Sequence, residues 1–171
     1  MSTFPEFKSR FERGGSDPEL VVSLLVEGMC ALELDSDLGE QMVALLCSKK
    51  VLDPAPGTLS GFRFRKTDDS LNRLRRNANI ARSYAGGTHE SDYKDCDPLT
   101  PTVTLDKVYS AGAQGVDFPE PGRAKFFVHS GGADNPRPVT LARNSAGLWK
   151  VVNFSSMTTG VRPPASEAGD F

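Results

Sequence analysis

The hydrophobic period of this chain changes once, and that change constrains the fold more than any other feature. Up to Ala85 the apolar residues recur at helical spacing, and from Thr102 onward they alternate with polar ones. Residues three and four apart share a helix face, whereas strand neighbours point to opposite faces, so the two periods specify different elements. Between them lie Gly86-Gly87 and the polar, acidic stretch 88–101, which contains Pro98 and Pro101 and reads as a long surface loop. Helices first and strands second make an α+β fold. A length of 171 residues suits one domain. It is expected over 1–164, with a helical half at 4–87, a β half at 102–162 and a flexible tail at 165–171.

About four helices are expected. Thr3 and Glu6 have capping-box spacing, and Phe4, Phe7 and Phe11 share one face of a helix over 5–13, stopped by Gly14-Gly15. Asp17 as N-cap, Pro18 at the first helical position and Glu19 near the positive dipole end open a second helix. Leu20, Leu24, Leu25, Met29 and Leu32, widened by Val21 and Val22, give it a broad apolar face. Asp37 with Glu40 offers a capping box for a third helix, through Leu38, Met42, Leu45 and Leu46 to Lys49-Lys50. Only 33–36 connect it to the second, so the two form an antiparallel hairpin. Pro54, Pro56 and Gly57 break the pattern, and Phe62-Arg63-Phe64-Arg65 alternates as a short strand or extended arm. Asp68 or Asp69 then caps a fourth helix, stopped by Gly86-Gly87. Leu71, Leu74, Ala78, Ala81 and Ala85 form its apolar face, opposite Asn72, Arg75, Arg76, Asn79, Arg82 and Ser83.

Four to five strands are expected, at 102–109, 124–129, 138–143 and 148–155, with a fifth near 157–161. The turns at 131–136 and 144–147 are short enough for an antiparallel β-meander packed on the helices.

Composition excludes several classes. Apolar residues at 38% and charged residues at 25% are ordinary for a folded soluble domain. The longest apolar run, 20–26, is interrupted by Ser23 and closed by Glu27, far short of the roughly 20 residues that span a bilayer. The N-terminus lacks a basic region leading into an apolar one, so a cytoplasmic location is expected. Cys30, Cys47 and Cys96 are odd in number and contain no Cys-x-x-Cys pair, which argues against a disulfide framework and a zinc knuckle.

Charge is unevenly placed. Residues 16–48 hold seven acids and no Lys or Arg, while 63–82 hold seven bases against Asp68 and Asp69. Such segments either steer partners or neutralise one another within the fold.

No motif specifies a reaction. His129, Ser130 and Asp134 lie close in sequence, but strand neighbours face opposite ways and no Gly-x-Ser-x-Gly elbow is present, so no catalytic residues are assigned. His89, Glu90, Asp92, Asp95, Cys96 and Asp97 crowd potential ligands into nine residues. They lack the EF-hand spacing and glycine, and read as a solvated loop; neither a metal nor a cofactor is assigned. Arg75, Arg76 and Arg82 have the chemistry for phosphate contacts, yet no aromatic shares their face and the pI is about 5.7, so nucleic acid is not the expected partner. Gly131-Gly132 with Arg137 between two prolines offers an anion-binding nest or, more simply, a rigid turn.

The ending Gly131-Gly-Ala-Asp-Asn-Pro-Arg-Pro-Val-Thr-Leu141, then Trp149-Lys-Val151, then Ser155-Ser-Met-Thr-Thr-Gly-Val-Arg-Pro-Pro164, resembles an uncharacterised family of small bacterial proteins. That resemblance implies a bacterial source. More loosely, Gly147-Leu-Trp-Lys-Val-Val152 is similar to a late strand of the nuclear-transport-factor-2-like fold, which implies a pocket. The expected function is a non-catalytic protein-binding or accessory domain, with another protein as partner and Arg75, Arg76, Arg82, Asp134 and Arg137 as contacts. The alternative is a small-molecule site or weakly specified enzyme between helices and sheet, lined by Tyr109, His129 and Trp149.

Overall fold

A computed structural model of the chain describes residues 1–110 and 122–169, with the side chains of 107–110 outside that description. Helix α1 (Phe4–Gly14) starts on the expected capping box: Thr3 Oγ1 accepts from Glu6 N–H, and the Glu6 carboxylate accepts from Thr3 N–H. Phe4, Phe7 and Phe11 are its buried face. Helix α2 (Pro18–Leu34), capped by Asp17, buries ten residues on nearly all sides and forms the centre of the molecule. Helix α3 (Ser36–Leu46) returns antiparallel after a very tight turn. Gly39 makes that turn possible, because a Cβ there would lie 2.5 Å from Leu32 N.

The cap of α3 differs from expectation. Asp35, not Asp37, accepts from Leu38 N–H, since the turn is shorter than the Asp37 box requires. The helix also ends at Leu46, so Lys49-Lys50 lie in a separate 3₁₀ turn, Lys49–Val51.

Strands β1 (Leu52–Pro54) and β2 (Phe62–Phe64) form a small antiparallel sheet; only the second was legible from alternation. Their connection is held by the buried side chain of Gln41, which donates to Phe62 O and accepts from both Ser60 N–H and Ser60 Oγ–H.

The expected fourth helix is two: α4 (Ser70–Arg76) and α5 (Ala78–Tyr84). Asn77 breaks it at φ −144°, ψ 93°, and its side chain accepts from Asn79 N–H. A short polar side chain that can bond the next turn's free amide favours a cap over a continuous helix. The chain therefore has five helices before its main sheet.

That sheet is an antiparallel meander in the order β3 (Leu105–Ser110), β4 (Arg123–Val128), β5 (Arg137–Arg143), β6 (Trp149–Asn153). Ala124, Phe126, Val128, Val139, Leu141 and Val151 alternate inward and are buried in one core with α2 and α3. Each large side chain of this set contributes roughly 1.5–3 kcal/mol by leaving water. The expected fifth strand is instead a 3₁₀ turn, Ser155–Thr158. Its hydroxyls return to nearby carbonyls, Thr158 Oγ–H to Ser155 O and Thr159 Oγ–H to Ser156 O, a local pattern that competes with strand pairing. No helix is long and apolar enough to cross a membrane among the described residues.

Candidate functional site

The arginines of α4 and α5 lie against α2 and α3, and the two charge-biased segments meet there. Arg82 grips Glu33 with two 2.9 Å bonds, Arg75 reaches Glu40 at 3.1 Å, and Arg63 meets the same carboxylate at 3.2 Å. Arg76 bonds Asp69, the residue that precedes α4. The guanidinium groups of Arg75 and Arg82 are partly exposed yet committed to internal acids, and the hydrogen bond from Arg82 holds Glu33 in place. Sequence asymmetry is neutralised inside the fold.

Asp134 and Arg137 belong to a clasp that fastens the C-terminal segment. Arg137 donates to Thr159 O, Gly160 O and Tyr84 Oη at 2.7, 2.6 and 3.1 Å. Asp134 pairs with Arg162, whose N–H donates to Gly132 O and whose carbonyl accepts from the buried Tyr93 hydroxyl. Gly131 and Gly132 serve close approach rather than an anion nest. A Cβ on Gly131 would lie 2.0 Å from Gly87 O, and one on Gly132 would lie 2.1 Å from Tyr93 Oη. Ala165 N–H and Ser166 N–H continue the attachment to His89 O and Asp92, where a flexible tail was expected. The first and last motif blocks of the C-terminal ending thus meet in space, and the middle block pairs with β5.

His129, Ser130 and Asp134 do not converge. His129 Nε2 lies 3.3 Å from Asp106, Ser130 Oγ donates to Ser83 Oγ at 2.8 Å, and Asp134 holds Arg162. The acidic loop is likewise self-bonded. Asp95 accepts from the Ser91 hydroxyl and from the N–H and hydroxyl of Thr88, which holds its carboxyl down at about 2. Asp97 accepts from Thr100 and Leu99, Asp92 from Ser166, and both are lowered for that reason. Among the described residues no three His, Cys, Asp or Glu side chains gather as metal ligands.

The supposed crevice between helices and sheet is filled by Phe126, Val139, Leu141 and Val151. Trp149 stands at the sheet margin with Arg143 over its ring at 5.7 Å. His129 lies at the far end of β4, beside a depression of about 180 Å³ with Ser83, Thr104 and Gly131. The two are separated by β5, and the Tyr109 side chain lies outside the described residues.

A surface that sequence reading missed lies at the α2–α3 turn. The exposed large hydrophobics among the described residues are Met1, Leu34, Leu59 and Leu99, at 53, 54, 60 and 44%. Met1, Leu34 and Leu99 rim one shallow dimple floored by Ala31 and Met42. Leu59 and Leu38 line a groove of about 470 Å³ on the other side of the turn, with Asp35 and Asp37. Residues 1, 34, 59 and 99 are too far apart in sequence for any local pattern to unite them.

A sequence profile described as "Domain of unknown function (DUF6935)" matches residues 2–165. The chain belongs to that family. The matched span covers every element described above and ends where Ala165 N–H meets His89 O. No curated protein and no solved structure matches the chain.

Proposed function

We propose that this chain is a non-catalytic accessory domain that binds another protein in the bacterial cytoplasm. The observation that carries the reading is that exposed Met1, Leu34 and Leu99 rim one dimple at the α2–α3 turn, while exposed Leu59 lines a second groove with Asp35 and Asp37. Exposed apolar side chains scattered singly are ordinary, but a cluster rimmed by polar groups is characteristic of a docking surface. Asp35 and Asp37 stand in the groove beside Leu59, and Arg63, which also lines it, is paired with Glu40. The complementary partner is therefore a protein segment presenting apolar side chains beside Lys or Arg. Three unlinked thiols fit a reducing compartment, and the C-terminal resemblance supports a bacterial source.

The test is a Leu34→Glu/Leu59→Glu variant, both changes falling on exposed side chains. Proteins captured by the wild type are identified, purified and titrated against both forms. The expected result is a partner whose Kd rises at least about tenfold in the variant, the loss of roughly 1.4 kcal/mol. Equal binding to both forms would remove the surface from the account. A monomer–dimer equilibrium abolished by the same variant in sedimentation would make the occupant a second copy of this chain and overturn the separate partner.

A further inference from the structure

The register sets Arg123, Ala142 and Lys150 abreast across β4, β5 and β6. Their strand neighbours Ala124, Leu141 and Val151 are buried in the core, so these three point the other way. Ala142 is small, and a hollow opens above it. One wall is Ser48, Lys49 and Lys50, drawn beside β6 because Cys47 bridges Val151 and Ser48 N–H donates to Val151 O at 2.8 Å. The other wall is the β5–β6 turn with Arg143, Asn144 and Ser145.

The concavity measures about 590 Å³, inside the range of roughly 300–1,000 Å³ typical of small-molecule sites. Its described lining includes Lys49, Lys50, Arg143 and Lys150 and no acid, while Arg123, which also lines it, has a partner of its own. Several cations elsewhere are matched with carboxylates: Arg63 and Arg75 share Glu40, Arg82 takes Glu33 and Arg65 takes Asp53. Here Lys49, Lys50, Arg143 and Lys150 have no ion-pair partner among the described residues. They are positioned by other means. Lys49 lies over the Phe62 ring at 5.9 Å and Arg143 over Trp149, while the Lys150 ammonium donates to Leu45 O and lies 5.1 Å from the Phe11 ring. Ring faces and a carbonyl orient these groups without cancelling their charge. Like charges assembled in one hollow repel each other, and an anion relieves that repulsion.

We propose that this concavity binds a phosphorylated small molecule, with Lys49, Lys50 and Arg143 contacting its phosphate groups and Ser48, Asn144 and Ser145 donating hydrogen bonds. A guanidinium and two ammonium groups suit several closely spaced phosphate oxygens, and the hydroxyl and amide donors are neutral companions for the same acceptors. The chain has net charge −2 and the basic cluster spans a single hollow, which disfavours a long nucleic acid strand lying across the surface. This surface is distinct from the α2–α3 turn, so either reading can fail without the other.

Trp149 is the single tryptophan of the chain and lies against Arg143, so its emission reports on the site. The probes are inorganic pyrophosphate and metal-free ATP in low-salt buffer, with a single-stranded oligonucleotide and glucose as comparisons. The expected result is a saturable change in Trp149 emission with pyrophosphate or ATP and none with glucose. At about a hundredfold excess over Kd, a rise of several degrees in Tm should accompany it. The exposed double variant Lys50→Ala/Arg143→Ala should weaken binding measured by calorimetry at least about tenfold. Lys49→Ala/Lys50→Ala leaves the tryptophan stack intact and should do the same, which keeps the test open if the first variant is unstable. Absence of any response to pyrophosphate and ATP would overturn the proposal. So would an unchanged response in both variants, or tighter binding of the oligonucleotide than of either phosphate compound.

Discussion

Arg137 shows how a residue chosen as a contact by sequence can instead be a strut. Its flanking prolines fix its direction, and its guanidinium satisfies two carbonyls of the 159–160 segment together with the Tyr84 hydroxyl. Burial first of all pushes the Tyr84 phenol up to about 12, so the hydroxyl stays neutral beside Arg137. Arg137→Ala should lower unfolding free energy by about 2 kcal/mol, read from urea denaturation, because charge-assisted bonds are lost and their acceptors left unpaired. Asp95 makes a pH-dependent contribution. Its folded value of about 2 lies below the ordinary 3.8, the Ser91 hydrogen bond being the largest cause. The stabilisation is therefore complete above about pH 4 and is lost as pH falls through the folded value. Asp69, lowered chiefly by its bond from Arg76, acts in the same direction. Asp95→Asn should lower the urea midpoint at neutral pH, where the stabilisation is fully present, and flatten its fall between about pH 4 and pH 2.

Among the elements, α4 and α5 are the instructive pair. Leu71, Leu74, Ala78, Ala81 and Ala85 do face inward or lie at the core margin, so a helical period was correctly legible. The period does not reveal that Asn77 leaves helical geometry, because a one-residue break barely disturbs the spacing of buried positions. Asn77→Ala should cost about 1 kcal/mol by removing the bond to Asn79 N–H, whereas Asn77→Asp should retain most of the stability, both checked by thermal melting. The break also orients Arg82 toward α2 and Arg75 toward α3, which lets each reach its own acid.

For the whole molecule, one core joins the helical half to the sheet, and the clasp at 131–137 and 159–166 secures the chain end over it. Cys30 and Cys47 lie within that core, and burial pushes each thiol up to about 12. Their reaction with a disulfide reagent at mildly alkaline pH should therefore follow opening of the fold, while the partly buried Cys96 reacts first. Three thiols reacting together in the native protein would contradict the arrangement.

What the sequence determined by itself was the class and order of elements: the change of period at Gly86-Gly87, the capping box at Thr3, the Asp17-Pro18 start and the hairpin turn at 144–147. These signals are local, because caps, turns and periodicity are settled by residues within a few positions of one another. The tertiary structure alone decided which charges cancel, which glycines serve close approach and which surfaces remain available. Leu34 meets Leu99, Lys50 faces Arg143 and Asp134 reaches Arg162 only through packing. Such pairings depend on sequence-distant segments being brought together by the buried core, and no spacing along the chain encodes them.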